Sequence, residues 1–232
     1  MNRGGTDFLP QGAEKSRRVT AMFDAIAPTY DRMNRLMTFG LDRMWRRRTV
    51  AALGLPAGAT VIDLACGTGD LCVELGRAEL AAFGVDLSAG MLGAAHTLAP
   101  LLRGDVDRLP LGKASVDGAT CGFALRNLVS LDAFLAELAR IVRPGGRIAL
   151  LEVAEPTNPA LRFGHRFYFT EIVPRLGAAL SDGAAYRYLP RSVAYLPPPE
   201  SLVAMVAAAG FSDARRNLLS GGIVQLLVGT RS

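Results

Sequence analysis

The chain has 232 residues, half of them hydrophobic, and a formal net charge of +5. This length favours a single domain, and the hydrophobic content supports a buried core, which excludes wholesale disorder. Residues 1–50 carry ten basic and five acidic side chains, whereas residues 51–232 are neutral overall. A uniformly basic nucleic-acid-binding body is therefore disfavoured, because phosphate neutralisation needs a concentrated basic surface, and a basic arm on a neutral body remains open.

Cysteine and histidine usage excludes two further classes of protein. Cys66, Cys72 and Cys121 are too few and too scattered for a disulfide framework. The chain has two histidines, neither near the cysteines in sequence, so no metal site is expected. The N-terminal segment lacks the apolar stretch of a secretory signal, and no apolar run approaches the roughly 18 residues of a membrane span. We therefore expect a cytoplasmic protein.

The N-terminal region is expected to begin with a mobile tail over residues 1–16, which are polar. Apolar side chains at helical spacing then predict a first helix, at Val19, Met22, Phe23 and Ile26. A second helix is predicted over Leu41–Leu53, with Trp45 on its apolar side and Arg46–Arg48 facing solvent. The single domain is expected over 17–232, with basic helices over 17–55.

From residue 60 short apolar runs alternate with helical segments. The runs predict strands over 60–65, 81–87, 101–105, 116–125 and 147–153. Between them, helices are predicted over 71–76, after Ser88 as the N-cap, and over Asp132–Val142. Strands that alternate with helices at this spacing are typical of a parallel α/β sheet covered on both faces.

The alternation stops after Val153. Residues 155–197 are rich in aromatic residues and proline, and they are too long for a plain connection, so we predict a helical insertion there. A helix over Ser201–Ala209 and two strands near 211–219 and 222–229 are expected to complete the sheet.

The strongest local signal is a glycine loop, Asp63–Gly69, between the first predicted strand and the following helix. Such a turn lets a ligand approach the backbone beside the N–H groups of a helix N-terminus. A dinucleotide site needs Gly or Ala where Cys72 stands, and the lysine of a P-loop is absent. An acid ahead of the glycines suits a cationic, zwitterionic ligand such as S-adenosylmethionine.

Two further acids follow the next predicted strands. Asp86 ends the second, where a carboxylate can accept hydrogen bonds from both ribose hydroxyls, and Asp105 ends the third, where it can accept from an adenine amino group. With Asp63, these residues form a row at the carboxyl ends of successive strands, where open α/β sheets bind ligands.

Several stretches resemble the class I methyltransferases of the ubiquinone/menaquinone biosynthesis C-methyltransferase family. The resemblance covers the chain from about Val19 to the C-terminus and is found in FDAIAPTYDRMNRLMTFGLDRMWRRR, VIDLACGTGDL, ALRN, RIVRPGGRIALLEV, YRYL and LLSGGIV. It implies a Rossmann-like, seven-stranded, mostly parallel sheet with strand order 3-2-1-4-5-7-6. It also implies methyl transfer from S-adenosylmethionine to a ring carbon of a prenylated quinol.

The resemblance also implies site residues. The cofactor would contact the glycine loop at Gly67, Thr68 and Gly69, together with Asp63, Asp86, and Asp105 with Val106. The chain departs from the family pattern at Gly122, where a cofactor-contacting serine is common, so that contact would be made by backbone alone or be absent.

Carbon is a weak nucleophile unless a neighbouring phenol oxygen is deprotonated or polarised, so the reaction needs a base or an activated water. Arg126 can hold an anionic oxygen and Asn127 can orient it, which makes this pair the candidate catalytic residues. His165 is a second candidate base and substrate contact. Tyr30, Tyr186 and Tyr188 match family motifs and are expected to line the quinol pocket.

Demethylmenaquinol is the favoured substrate. The alternatives are 2-methoxy-6-polyprenyl-benzoquinol, another phenolic or polyketide-like small molecule, and adenosylmethionine binding without catalysis, as in a sensor or scaffold. A nucleic-acid methyltransferase is disfavoured, because FALRN stands where such enzymes carry N/D-P-P-Y/F. The expected partners are the quinol, a second copy of the chain in a homodimer, and an anionic membrane surface on the inner face of the cell membrane, met by Arg46–Arg48 with Trp45.

Overall fold

The structure is a computed structural model that describes residues 11–180 and 183–232, except for the side chains of 179, 180, 183, 184, 186, 187 and 189. These residues form one seven-stranded sheet and ten α-helices. The strands are β1 (Thr60–Leu64), β2 (Ala81–Asp86), β3 (Leu101–Arg103), β4 (Val116–Gly122), β5 (Val142–Val153), β6 (Phe211–Leu219) and β7 (Val224–Arg231). The helices are α1 (Gly12–Ile26), α2 (Tyr30–Met37), α3 (Leu41–Leu53), α4 (Asp70–Arg77), α5 (Ala89–Gly93), α6 (Leu131–Ile141), α7 (Pro159–Phe167), α8 (Val173–Leu180), α9 (Gly183–Ser192) and α10 (Pro199–Ala208).

The sheet has the order β3-β2-β1-β4-β5-β7-β6, which confirms the predicted topology. Strands β1 to β5 pair in parallel, and β7 runs antiparallel to both β5 and β6. The chain leaves β1 for β2 on one side and returns to β4 on the other. The carboxyl ends of β1 and β4 therefore flank a crevice, which is the ligand-binding position in doubly wound sheets.

Both faces of the sheet are buried, which explains the nearly continuous apolar runs of the central strands. In β1, Val61 packs into the core cluster on one face, and Ile62 and Leu64 pack into the cluster on the other. Helix α6 covers the second face with Phe134, and α3 covers the first with Leu53. These two layers hold the strand ends in place and thereby fix the position of the loops that follow them.

The predicted tail and domain start need correction, because α1 begins at Gly12. Its first turn is fixed from outside: the Lys15 ammonium is buried and donates to the Leu128 carbonyl oxygen at 2.6 Å. Residues 1–10 lie outside the described part of the chain. Helix α2 was not predicted: it has one buried face, with Met33 and Met37, but its eight residues are shorter than the segment over which helical periodicity can be recognised.

Helix α3 is confirmed, but the prediction that Arg46 faces solvent is wrong. Arg46 and Trp45 are buried, whereas Arg47 and Arg48 are exposed. Arg46 shares one stripe of the helix with Val50 and Leu53, at spacings i, i+4 and i+7, and this stripe packs inward.

The predicted helical insertion is present. Helix α7 continues through a π-helical turn at Tyr168–Ile172 into α8, and α9 follows. The insertion packs against the N-terminal helices, because Ile26, Met33 and Met37 share one apolar cluster with Val173 and Ala185. The two ends of this roof are more than 100 residues apart in sequence, and together they cover the carboxyl ends of the strands.

Candidate active site

Two cavities lie under this roof. The first, the strand-end cavity, is lined by the ends of β1, β2 and β4, the loop after β3, and side chains of α1. The second, the helical cavity, has a volume of about 500 Å³ and is lined by α1, α2, α3, the insertion and the start of β7. Four side chains line both cavities: Phe23, Tyr30, Arg46 and Phe123. We call these four residues the junction.

Asp63 is the penultimate residue of β1; it lies on the wall of the strand-end cavity and is buried. One carboxylate oxygen accepts a hydrogen bond from the Thr120 hydroxyl at 2.8 Å. Burial raises the pKa of Asp63 to about 7, because removing the carboxylate from water disfavours its charged form. A cationic ligand group in this cavity would stabilise the ionised carboxylate.

Asp86 ends β2, and its carboxylate is fixed by two backbone amides. Oδ2 accepts from the Gly67 N–H at 2.7 Å, and Oδ1 accepts from the Ser88 N–H at 2.8 Å. Burial raises the pKa of Asp86. An ionised carboxylate offers about four acceptor positions, so Asp86 retains capacity for two ligand hydroxyls.

The loop after β3 supplies Asp105, Val106 and Asp107 to the same cavity. Asp105 is exposed, and its Oδ1 accepts from the Asp107 N–H at 3.0 Å. The Asp107 Oδ1 atom is buried without a hydrogen-bond partner among the described residues, and burial raises the pKa of this carboxyl. A buried orphan acceptor of this kind calls for a ligand donor, such as an exocyclic amino group.

The glycines have separate structural roles. Gly67 lines the strand-end cavity, whereas Gly69 adopts a φ of +86° directly before α4, and a Cβ there would lie 2.5 Å from the Thr97 methyl group. Gly122 lines the cavity, but a Cβ would approach Leu71 Cδ1 to 2.9 Å. Packing against α4 therefore leaves little room for the serine that the family pattern favours at 122.

A chain of polar contacts ties α2, α3 and α4 to the glycine loop. The Thr68 hydroxyl donates to Asp31 at 2.7 Å, and His96 contacts both Asp31 and Asp70 at 3.3 and 3.1 Å. Asp70 in turn pairs with Arg46, whose Nη2 lies 3.0 Å from the carboxylate. His96 thus bridges α2 and α4, and this series of contacts ends at Arg46 in the junction.

Arg126 follows β4 and is almost fully buried against Glu152 of β5. Glu152 also accepts from the Arg126 backbone N–H at 3.1 Å, while the guanidinium donates from Nε to the Ser192 hydroxyl at 3.1 Å and from Nη1 to the Phe123 carbonyl at 2.9 Å. This buried pair presents Arg126 to the helical cavity in a fixed orientation.

Asn127 is the next residue, yet it lines the strand-end cavity. Its side-chain carbonyl accepts from the Tyr188 hydroxyl at 3.1 Å, and burial raises the pKa of Tyr188 to about 12, so the tyrosine remains a donor. Consecutive residues of one 3₁₀ turn, Leu125–Asn127, therefore reach two different cavities.

The helical cavity receives two of the residues predicted to contact the substrate, Tyr30 and His165. Burial raises the pKa of Tyr30 and lowers the pKa of His165, whose ring packs against Phe169 with centroids 4.6 Å apart. The side chain of Tyr186 lies outside the described residues.

Helix α1 covers the strand-end cavity and is anchored at both ends. Asp24 accepts from the Ser88 hydroxyl at 2.5 Å and from the Gly90 N–H at 2.8 Å. At the other end, the Lys15 ammonium lies 3.7 Å from the centre of the Tyr195 ring, and burial lowers the pKa of Lys15 to about 8. Between these anchors, α1 contributes Phe23 to the cavity wall.

Four residues of this site were not predicted from the sequence: Glu152, Arg46, Lys15 and Asp24. Two of them left a signal: Glu152 interrupts the apolar strand RIALLEV, and Arg46 falls on the apolar stripe of α3. No local sequence pattern indicates the roles of Lys15 and Asp24, because their partners are distant in sequence.

The strand-end cavity fits S-adenosylmethionine on these observations. Asp63 is a buried carboxyl with a raised pKa, and the cationic amino and sulfonium groups would favour its ionised form. Asp86 and the orphan acceptor of Asp107 suit the hydroxyl and amino donors of the ligand. The junction then connects that cofactor position to a larger, predominantly apolar cavity.

Comparison with known proteins agrees with this geometry. The family model described as the ubiE/COQ5 methyltransferase family matches residues 11–231. The ubiquinone/menaquinone biosynthesis C-methyltransferase UbiE of Syntrophotalea carbinolica is 42% identical over 222 residues, covering 91% of this chain and 93% of the relative. The demethylmenaquinone methyltransferase of a Roseiflexus species is 41% identical over 234 residues, covering 97% and 98%.

Among solved structures, a SAM-dependent methyltransferase from Thermotoga maritima superposes with a TM-score of 0.65 at 20% sequence identity, covering 91% of this chain and 99% of that one. At this identity the likeness shows the fold alone.

Proposed function

This chain belongs to the ubiE/COQ5 methyltransferase family and is an S-adenosylmethionine-dependent C-methyltransferase; from that membership we propose that it methylates a ring carbon of demethylmenaquinol to give menaquinol. The observation that carries the proposal is the junction, at which a polar cavity with buried carboxyls meets an apolar cavity of about 500 Å³. A two-substrate enzyme with one cationic and one lipid-like substrate needs this arrangement.

In the strand-end cavity we assign the cationic part of the cofactor to Asp63, the ribose hydroxyls to Asp86, and the adenine to Asp105, Val106 and Asp107. The glycine loop adds backbone contacts at Gly67 and Thr68, Gly69 sets its turn, and Gly122 closes the opposite wall by its backbone. This assignment is supported by the order of the acids along the strand ends and by the burial of Asp63.

The bound cofactor supplies an electrophilic methyl group. The protein has to make the quinol ring carbon nucleophilic, which requires stabilisation of negative charge on the neighbouring oxygen. We assign this role to Arg126, held rigidly by Glu152, and to Arg46 at the junction. Asn127 then orients the reacting groups, with its carbonyl fixed by Tyr188.

We propose that His165 accepts the phenolic proton. It lines the helical cavity, and because burial lowers its pKa, the imidazole is neutral and able to accept a proton near neutral pH. Tyr30, whose pKa is raised by burial, stays protonated and donates to the quinol oxygen. Tyr186 stays a predicted substrate contact.

The proposal is tested with purified protein, ¹³C-methyl-labelled S-adenosylmethionine and a short-chain demethylmenaquinol, with 2-methoxy-6-prenyl-benzoquinol as a competitor. We expect carbon NMR to show a labelled methyl group attached to a ring carbon of the naphthoquinol. Transfer to the benzoquinol should be slower. Asp86→Ala is the binding-deficient control. Intact cofactor binding without any methylated quinol would contradict the proposal.

In the part of the chain that the structure describes, no helix combines the length and apolar character needed to cross a membrane. Because a prenylated quinol partitions into lipid, we propose that the enzyme works from the cytoplasm in peripheral contact with the anionic inner face of the membrane. The homodimer stays a prediction.

A further inference from the structure

The turn that joins α2 to α3, together with the helix residues beside it, exposes large apolar side chains. Four of them fall within nine residues, and we call them the corner surface: Leu36, Phe39, Leu41 and Met44, with exposed fractions of 44%, 77%, 38% and 38%. Contiguous exposed apolar side chains of this kind mark an interaction site more often than an ordinary surface.

The corner surface is continuous with the helical cavity. Phe39 and Leu41 line that cavity and are also exposed to solvent, so they stand at its mouth. The Phe39 ring lies 5.8 Å from the ring of Tyr168, whose hydroxyl donates to the Met37 carbonyl at 2.9 Å. The mouth is therefore framed by the corner on one side and by the insertion on the other.

The charges around the corner have one sign. Between residues 32 and 48 every exposed charged side chain is an arginine, because Asp42 is buried and accepts a hydrogen bond from the Thr38 hydroxyl at 3.0 Å. Within the described ranges, neither Arg35 nor Arg43 forms an ion pair. An apolar tip surrounded by unpaired cations is complementary to a surface of anionic lipid headgroups.

The backbone at the tip adds an independent observation. Phe39 has a φ of +52° and Gly40 a φ of +75°, in the left-handed region that asparagine and glycine adopt far more easily than phenylalanine. An exposed aromatic side chain thus stands where a small polar residue would fold more readily, which points to a role outside the folded core.

We propose that the corner surface docks on a bilayer that carries anionic headgroups, with its apolar side chains at the interface and Arg35 and Arg43 at the level of the phosphates. The inference rests on the proposed prenylated quinol substrate, whose tail can pass from the bilayer through the mouth into the helical cavity. The corner surface takes the place of Trp45 and Arg46 as the membrane contact, because both of those side chains are buried.

The test uses the full chain and two matched pairs of variants. Leu36→Gln removes an exposed leucine of the corner surface, and Leu98→Gln removes a fully exposed leucine that lines neither cavity. Arg43→Glu reverses a charge at the corner, and Arg215→Glu reverses an exposed charge on β6. Each protein is sedimented with vesicles of phosphatidylcholine alone or mixed with phosphatidylglycerol.

We expect the unaltered protein to bind the phosphatidylglycerol vesicles. Arg43→Glu should lower the partition coefficient roughly tenfold or more, and Leu36→Gln roughly threefold to tenfold, whereas both controls bind like the unaltered protein. Equal binding by all five proteins would overturn the proposal. Loss of a dimer in Leu36→Gln, with vesicle binding unchanged, would also overturn it and assign the corner to a second copy of the chain.

Turnover separates this inference from the proposed function. Leu36→Gln and Arg43→Glu should methylate a water-soluble short-chain quinol at the normal rate and a long-chain quinol in vesicles at a reduced rate. Phe39→Asn should raise the melting temperature yet weaken vesicle binding, because asparagine tolerates the left-handed backbone. If the unaltered protein binds vesicles but methylates no quinol, the function proposal fails and the docking surface stands.

Discussion

The two cavities differ in how they are built. The strand-end cavity gathers its polar groups from loops that each follow a strand between residues 63 and 107, together with the end of β4, and it fixes them largely through backbone amides. The helical cavity gathers its lining mainly from the N-terminal helices and from the insertion, which are far apart in sequence and are joined by tertiary contacts, among them the hydrogen bond from Tyr168 to the Met37 carbonyl. The comparison shows that a local motif can position a polar ligand, whereas an apolar substrate pocket depends on distant segments packing correctly.

The largest expected effect comes from a substitution in the 3₁₀ turn Leu125–Asn127, which contributes one residue to each cavity. Arg126→Ala leaves the Glu152 carboxylate buried without its partner, so the free energy of unfolding should fall by about 3–5 kcal/mol. Chemical denaturation measures it. The matched control is Arg143→Ala, which breaks a half-exposed pair with Asp117 and should cost less than about 1 kcal/mol. Equal losses would show that the buried pair does not hold the site together.

The next effect is confined to the strand-end cavity. Asp86→Ala removes the carboxylate that accepts hydrogen bonds from two backbone N–H groups, together with the proposed ribose contact, so cofactor affinity should fall roughly a hundredfold by calorimetry. Asp105→Ala, at an exposed carboxylate, should cost less than tenfold. A reversed ranking would place the ribose elsewhere.

A pH experiment sharpens the contrast between the cavities. The pKa of Asp63 is about 7 in the folded protein, above its ordinary value of 3.8, and a cationic ligand favours the ionised form. Cofactor affinity should therefore rise with pH up to about 7, by at most about tenfold per unit, and level off above it. In Asp63→Asn this dependence should largely disappear. A persistent slope in Asp63→Asn would assign the titration to another group, such as Asp86.

The smallest effect concerns a contact between the insertion and the strand end. Tyr188→Phe removes the hydrogen bond to Asn127, so turnover should fall roughly threefold to tenfold while cofactor affinity changes little. Single-turnover kinetics and calorimetry together measure it. Loss of cofactor affinity with unchanged turnover would place Asn127 in the cofactor site only.

The difference between the cavities also explains what the sequence could predict. Asp63, Asp86 and Asp105 were identifiable, because each stands at the end of an apolar run and parallel strands bring their carboxyl ends together. The role of Arg46 could not be predicted, because a run of three arginines is typical of a solvated helix face. Only the packing of α3 shows which of the three points inward.

The insertion shows the same limit. Its helical character and position after Val153 followed from composition and length. Its contacts could not be predicted, because Phe169 looks like an ordinary core residue until the N-terminal helices are placed opposite it. The burial of Lys15 likewise depends on Leu128 and Tyr195, which no local pattern connects to it.

The most direct test of the two-cavity account is a crystal structure with adenosylhomocysteine and a short-chain naphthoquinol bound together. The account predicts the nucleoside against Asp86 and Asp105, the sulfur facing the junction, and the quinol ring in the helical cavity beside Tyr30 and Arg126, with its tail pointing to the mouth at Phe39. A quinol bound outside the helical cavity, or separated from the sulfur by an intact wall at Phe123, would contradict it.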